Sequence, residues 1–223
     1  MQAGVYRATS PVIPPSAAWG LVLNLAGIET RSVLEGETTQ VRADAPPLRL
    51  AIGSCQPAET ATLYQQLHGY PVGNSGKELQ AKTHGTKYWI APVRRELLVG
   101  LDCVVGVQCD DAGLLRRVRG GLAGDLEASR YGLPFAGDNN FLFDRIDILA
   151  AAPRARWYRQ MAPDDAPARG SCRLTVGIDR ADSSRTTTVL FAPADAATAE
   201  PPDEAWTWTP RVPAPECASP VRR

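Results

Sequence analysis

The chain has 223 residues, a length that suits one large domain or two small ones. With 44% hydrophobic and 22% charged residues it can bury a core, which excludes wholesale disorder. Its 24 Lys and Arg balance 24 Asp and Glu, so no global basic field announces a nucleic-acid partner, yet 21 of the cations are Arg, whose planar fork grips phosphates and stacks on bases.

No apolar run approaches the roughly 18 residues of a membrane-spanning helix. The opening MQAGVYRATS lacks a basic stretch followed by an apolar one, so no secretory signal is expected. The expectation is a cytoplasmic protein with no membrane partner. Five cysteines, Cys55, Cys103, Cys109, Cys172 and Cys217, form no CxxC pair. That pattern favours reduced, buried thiols over a disulfide framework or a metal site. With no Walker-type phosphate loop, GxSxG, HExxH or GxGxxG, no cofactor is expected.

Residues 1–13 read as an extended lead-in, because Pro11, Pro14 and Pro15 exclude helix before Ser16. Ser16 is then the expected N-cap of a helix over AAWGLVLNLAGI that ends at Gly27. Trp19, Leu21, Val22, Leu23, Leu25 and Ala26 cover most of its circumference, so it should be buried on more than one side. Gly20 in its interior suggests that another backbone comes close there.

LRLAIGS (48–54) alternates like a strand, and 93–109 contains a longer one rich in Val and Leu. About forty residues between them hold many turn formers, and a segment of that length inside a domain is functional or disordered. Residues 110–129 read as a surface helix with acidic N-cap candidates and with Arg116, Arg117 and Arg119 on its polar side. FLFDRIDIL, RARWYRQM, CRLTVGID and RTTTVLFA then read as strands, and 193–223 as a mostly irregular tail anchored by WTW (206–208). The order predicts an α+β fold, a ferredoxin-like (RRM-like) domain over 1–150 with an appended β-rich region over 151–223.

Two segments carry chemistry. Residues 77–95 hold Lys77, Lys82, Lys87, Arg94 and Arg95 against the single acid Glu78, a local net charge of +4. Tyr88 and Trp89 lie among these cations and could stack on unpaired bases while the charges follow a phosphate backbone. The bland alternative is a solvated hairpin. Lys82, His84 and Tyr88 also supply the residue types for metal-free RNA cleavage, with His84 as general acid or base and Lys82 steadying the phosphorane charge. The second segment, RYGLPFAGDNN (130–140), should make a sharp turn braced by Asp138, Asn139 and Asn140. It is either a plain connection or a place where backbone approaches RNA or a partner.

Three blocks together, YRATSPVIPPSAAWGLVLNLAGIE, KYWIAPVRRELLVGLDCVV and RYGLPFAGDNNFLFDRIDIL, resemble the fifth family of CRISPR-associated proteins. These are RAMP-type subunits of type I effector (Cascade) complexes, and the likeness is nearest to the DevS-like (type I-B and Myxan) variant. The resemblance implies an RRM-like domain with a thumb β-hairpin inserted at about 58–91. It also implies a non-catalytic role in antiviral defence. Such a subunit binds and caps the 5′ handle of crRNA, contacts the backbone and large subunits, and meets target DNA only indirectly. Lys77, Lys82, Lys87, Arg94 and Arg95 would neutralise handle phosphates and Tyr88 or Trp89 would stack, with Arg7, Asn139 and Asn140 completing the cradle. One branch of the family cuts the repeat itself with a Tyr, a Lys and a His, which keeps a metal-independent endoribonuclease as the alternative. Only five residues precede Tyr6, so the first strand should be short.

Overall fold

The structure, a computed structural model, describes residues 5–32, 40–69, 89–127, 130–180 and 182–210. It is a mixed α/β chain with few helices and several sheets. Two compact units share it. One comprises Met1–Pro11 with Pro57–Leu101, and the other Val12–Gln56 with Asp102–Arg223.

The first unit is a three-stranded arm. β5 (Glu59–Gly69) and β6 (Trp89–Val99) pair antiparallel over eleven residues each, and β1 (Val5–Arg7) lies parallel to β6 on its other edge. The expected long strand over 93–109 is therefore two. Gly100, with φ of 67°, breaks it before β7 (Asp102–Gln108) begins.

The second unit builds the core. α1 (Pro15–Leu25) starts one residue before the expected N-cap Ser16, with Pro14 at the cap position and no side-chain cap. Its C-terminus is the predicted one. Gly27 takes φ of 65°, its amide bonds to the Asn24 carbonyl, and the Ile28 amide bonds to Leu23, both at 2.9 Å. Trp19, Leu21, Val22, Leu23, Leu25 and Ala26 are all buried, as the apolar circumference required. β2 (Arg31–Ser32) and β3 (Gln40–Val41) then form a separate two-stranded ribbon.

β4 (Leu48–Gln56) is the centre of a six-stranded antiparallel sheet that curls into a half-barrel. β7 lines one edge of β4 from Arg49 to Gln56. Two strands share the other edge: β11 (Thr207–Thr209) pairs with Leu48–Leu50, and β8 (Arg156–Gln160) pairs with Gly53 and Ser54. β10 (Thr187–Pro193) and β9 (Cys172–Gly177) extend the sheet beyond β8. β4 is buried on both faces, because buried Leu48, Leu50 and Ile52 alternate with buried Ala51 and Gly53. Small residues are needed on the second face. A Cβ on Gly53 would stand 2.9 Å from the Trp157 ring, and one on Gly106 would stand 3.0 Å from Trp206. Trp157 donates its indole N–H to the Thr198 carbonyl at 3.0 Å, which satisfies the one polar group of that buried ring.

α2 (Ala112–Ala123) begins as expected on an acidic N-cap, Asp111, whose carboxylate accepts from the Gly113 amide at 2.7 Å. It stops short of 129 because Gly124 turns left-handed at φ of 85°. Arg117 is not merely on a polar face. Its guanidinium donates to the Ala26 and Gly27 carbonyls at 2.9 and 3.3 Å, closing the C-terminus of α1. One helical turn on, Gly121 carries the closest approach, where an added Cβ would lie 1.7 Å from the Leu25 carbonyl oxygen.

Gly20 does not mark a close approach, since a Cβ there meets nothing within 4 Å. Gly20→Ala should therefore stabilise the protein by about 0.5–1 kcal/mol through helix propensity alone, measurable as a rise in denaturant midpoint. FLFDRIDIL is not a strand either. Among the described residues its only pairing is an isolated bridge from Leu142 to Phe135, and Arg145 and Asp147 form a local ion pair at 2.6 Å. The four described cysteines, Cys55, Cys103, Cys109 and Cys172, are free but only partly buried. Burial pushes the Cys103 thiol up to about 11 and raises the other three, so none is an activated nucleophile. No helix among the described residues is long and apolar enough to cross a membrane.

Candidate nucleic-acid interface

The arm gives its side chains to two faces by simple alternation. Tyr6 on β1 is level with Arg94 on β6, and Arg94 is level with Tyr64 on β5. The three side chains therefore form one row across three strands, a guanidinium between two aromatic rings. Tyr6 and Tyr64 are 57% and 60% exposed, and Arg94 is exposed between them. Strand spacing puts the two tyrosines about 10 Å apart.

Glu96 shares this face, two residues along β6. The Tyr6 hydroxyl donates to Glu96 Oε1, and the Thr9 amide donates to Oε2 at 3.1 Å. These bonds tie the N-terminal segment to β6 and fix the lean of the Tyr6 ring. They hold the Glu96 carboxyl below the usual carboxylate range, and the same Tyr6–Glu96 bond pushes the phenol up. Glu96 is thus a fixed anion beside an exposed ring.

The opposite face carries Arg7 level with Arg95, and Arg95 level with Leu63. Arg95 donates to Gln65 Oε1 at 3.2 Å, beside the buried Val93. Arg94 and Arg95 are adjacent in sequence and so project to opposite faces. They do not serve one continuous surface.

Asn139 and Asn140 belong to the other unit. The turn around them is braced as the sequence implied, with Asp138 Oδ1 accepting from the Asn140 amide at 2.9 Å and from its side chain at 2.7 Å. Asn139 lines a groove of about 640 Å³ between α1, β9 and the 131–139 loop. In that groove Arg31 lies 3.0 Å from the Tyr131 ring centre and forms a two-pronged pair with Glu29 at 2.9 Å for both bonds. The pair holds the Glu29 carboxyl down at about 2.

Lys77, Lys82, His84, Lys87 and Tyr88 lie outside the described residues, and so does the proposed cleavage chemistry. Trp89 supplies backbone to β6 opposite Gly69, and its side chain is likewise outside the described part. Tyr6, Tyr64 and Glu96 escaped the sequence reading. The signal was there in β5, where Thr60, Thr62, Tyr64 and Gln66 alternate with Ala61, Leu63 and Gln65 inside a stretch dominated by later glycines. What sequence cannot supply is the register that sets Tyr64 and Tyr6 on either side of Arg94.

No protein-family model matches this chain, and no curated protein sequence matches it. Its fold is similar to a chain from a CRISPR RNA-guided surveillance complex, with a TM-score of 0.52 at 15% identity, covering 88% of this chain and 83% of that one.

Proposed function

We propose that this protein is a non-catalytic, RNA-binding subunit of a type I CRISPR effector, a RAMP-type protein of the DevS-like variant that binds and caps the 5′ handle of crRNA. The observation that carries the reading is the Tyr6–Arg94–Tyr64 row. Exposed aromatics flanking an Arg on an open sheet face suit unstacked bases and the phosphate between them. The 10 Å spacing is too wide for two stacked bases, so the face favours a splayed single strand. The likeness in fold to a surveillance-complex chain supports the same assignment. In this reading the sequence α1, β4, β7, α2, with β4 and β7 antiparallel, belongs to a ferredoxin-like domain, and the arm is its thumb. The backbone and large subunits are the partners, and the setting is cytoplasmic.

The test is to incubate the protein with 5′-labelled repeat RNA in EDTA and run native and denaturing gels. A shifted, intact RNA is expected. A discrete cut that His84→Ala abolishes would overturn the reading in favour of the processing nuclease. In the same assay Arg94→Ala should weaken binding about tenfold and reduce the slope of affinity against salt by about one. Arg94 is exposed and makes no hydrogen bond or ion pair among the described residues, so its replacement should change the unfolding midpoint little.

A further inference from the structure

The Tyr6 end of the row differs chemically from the Tyr64 end, because among the described residues only Tyr6 has a carboxylate held beside it. A carboxylate carries about four lone-pair sites over its two oxygens. At Glu96 one site on each oxygen is taken, by the Tyr6 hydroxyl on Oε1 and the Thr9 amide on Oε2. One acceptor site is left on each oxygen. A phosphate is repelled from that spot and has Arg94 to go to instead, two residues back on the same face. What fits against Glu96 is a neutral edge with two adjacent N–H donors.

Among the RNA bases only guanine presents such an edge, at N1–H and the 2-amino group. Adenine and cytosine offer one amino group next to a ring-nitrogen acceptor, and uracil offers one imide N–H between two carbonyls. We infer that Glu96 is a specificity residue that selects guanine for the base stacked on Tyr6, whereas the Tyr64 position accepts any base. This rests on the proposal that the arm binds single-stranded RNA and adds a base preference to it.

The experiment measures fluorescence anisotropy of the full-length protein with labelled uridine decamers carrying one central guanosine, inosine or adenosine. Inosine keeps N1–H and lacks only the 2-amino group. The guanosine decamer should bind about tenfold tighter than the inosine and adenosine ones. In Glu96→Gln, which replaces one acceptor by a donor, the guanosine-to-inosine ratio should fall towards one. Equal binding of the guanosine and inosine decamers by the unaltered protein would overturn the inference and leave the RNA-binding reading intact. Failure to bind any decamer or the repeat RNA would overturn both. The comparison among decamers needs no variant, so a folding defect in Glu96→Gln cannot decide it.

Discussion

Replacing both Tyr6 and Tyr64 with Ala should weaken binding of single-stranded repeat RNA about a hundredfold or more. Each base stacked on an aromatic ring contributes about 1–3 kcal/mol, so two lost stacks multiply their effects. Both rings are largely exposed, so little burial is lost, and the one bond removed, from the Tyr6 hydroxyl to Glu96, should lower the unfolding midpoint by only a few degrees. Leu115→Ala, on the α2 surface, removes a comparably exposed apolar side chain and should leave RNA affinity as it is. A titration at fixed salt is the measurement, since phosphate contacts shift with ionic strength and stacking does so far less. Binding within threefold of the parent would mean that the exposed row is not the RNA surface.

The second large effect is on stability. Gly121→Ala should lower it by about 3 kcal/mol, although alanine is the better helix former by about 1 kcal/mol. The new Cβ would lie 1.7 Å from the Leu25 carbonyl oxygen, and that oxygen is backbone and cannot rotate away. α1 and α2 would have to separate, which strips the Arg117 bonds from the end of α1 and loosens buried Leu114. Gly120 is the internal control. A Cβ there meets only a Leu126 methyl at 3.7 Å, an ordinary contact, so Gly120→Ala should be neutral or slightly stabilising. Thermal unfolding should place Gly121→Ala about 6–12 °C below the parent and Gly120→Ala at or above it.

The glycines inside α1 and α2 show where sequence reading succeeds and stops. Helix α1 was legible because its determinants are local: a proline-bounded start, an unbroken apolar circumference and Gly27 to end it. The strands β4, β8, β9 and β10 were legible from alternation and branched residues. FLFDRIDIL alternates just as well and still is not a strand. Alternation fixes which way side chains point, and only an available neighbouring edge makes a strand. Gly20 and Gly121 look alike in sequence, both inside helices, yet one faces open space and the other a carbonyl. Arg94 was legible as a candidate from local charge. Its two tyrosines were not, because one is 30 residues before it and the other 88, and only register joins them. The turn at Asp138–Asn140 was legible because its bracing bonds span two residues.

The two-strand completion of the β4 edge also sets a timetable. Leu48–Leu50 emerge from the ribosome long before the strand that covers them, which ends at Thr209. At about 5–20 residues per second, the 153 residues between Gln56 and Thr209 take roughly 8–30 s to translate. For that interval the most apolar strand of the core has an unfilled edge, a template for pairing with another nascent chain. Loop closure over such a separation also makes this the slowest contact of the sheet to form. Yield during expression should therefore depend on translation speed and chaperone supply more than the finished protein's stability would suggest.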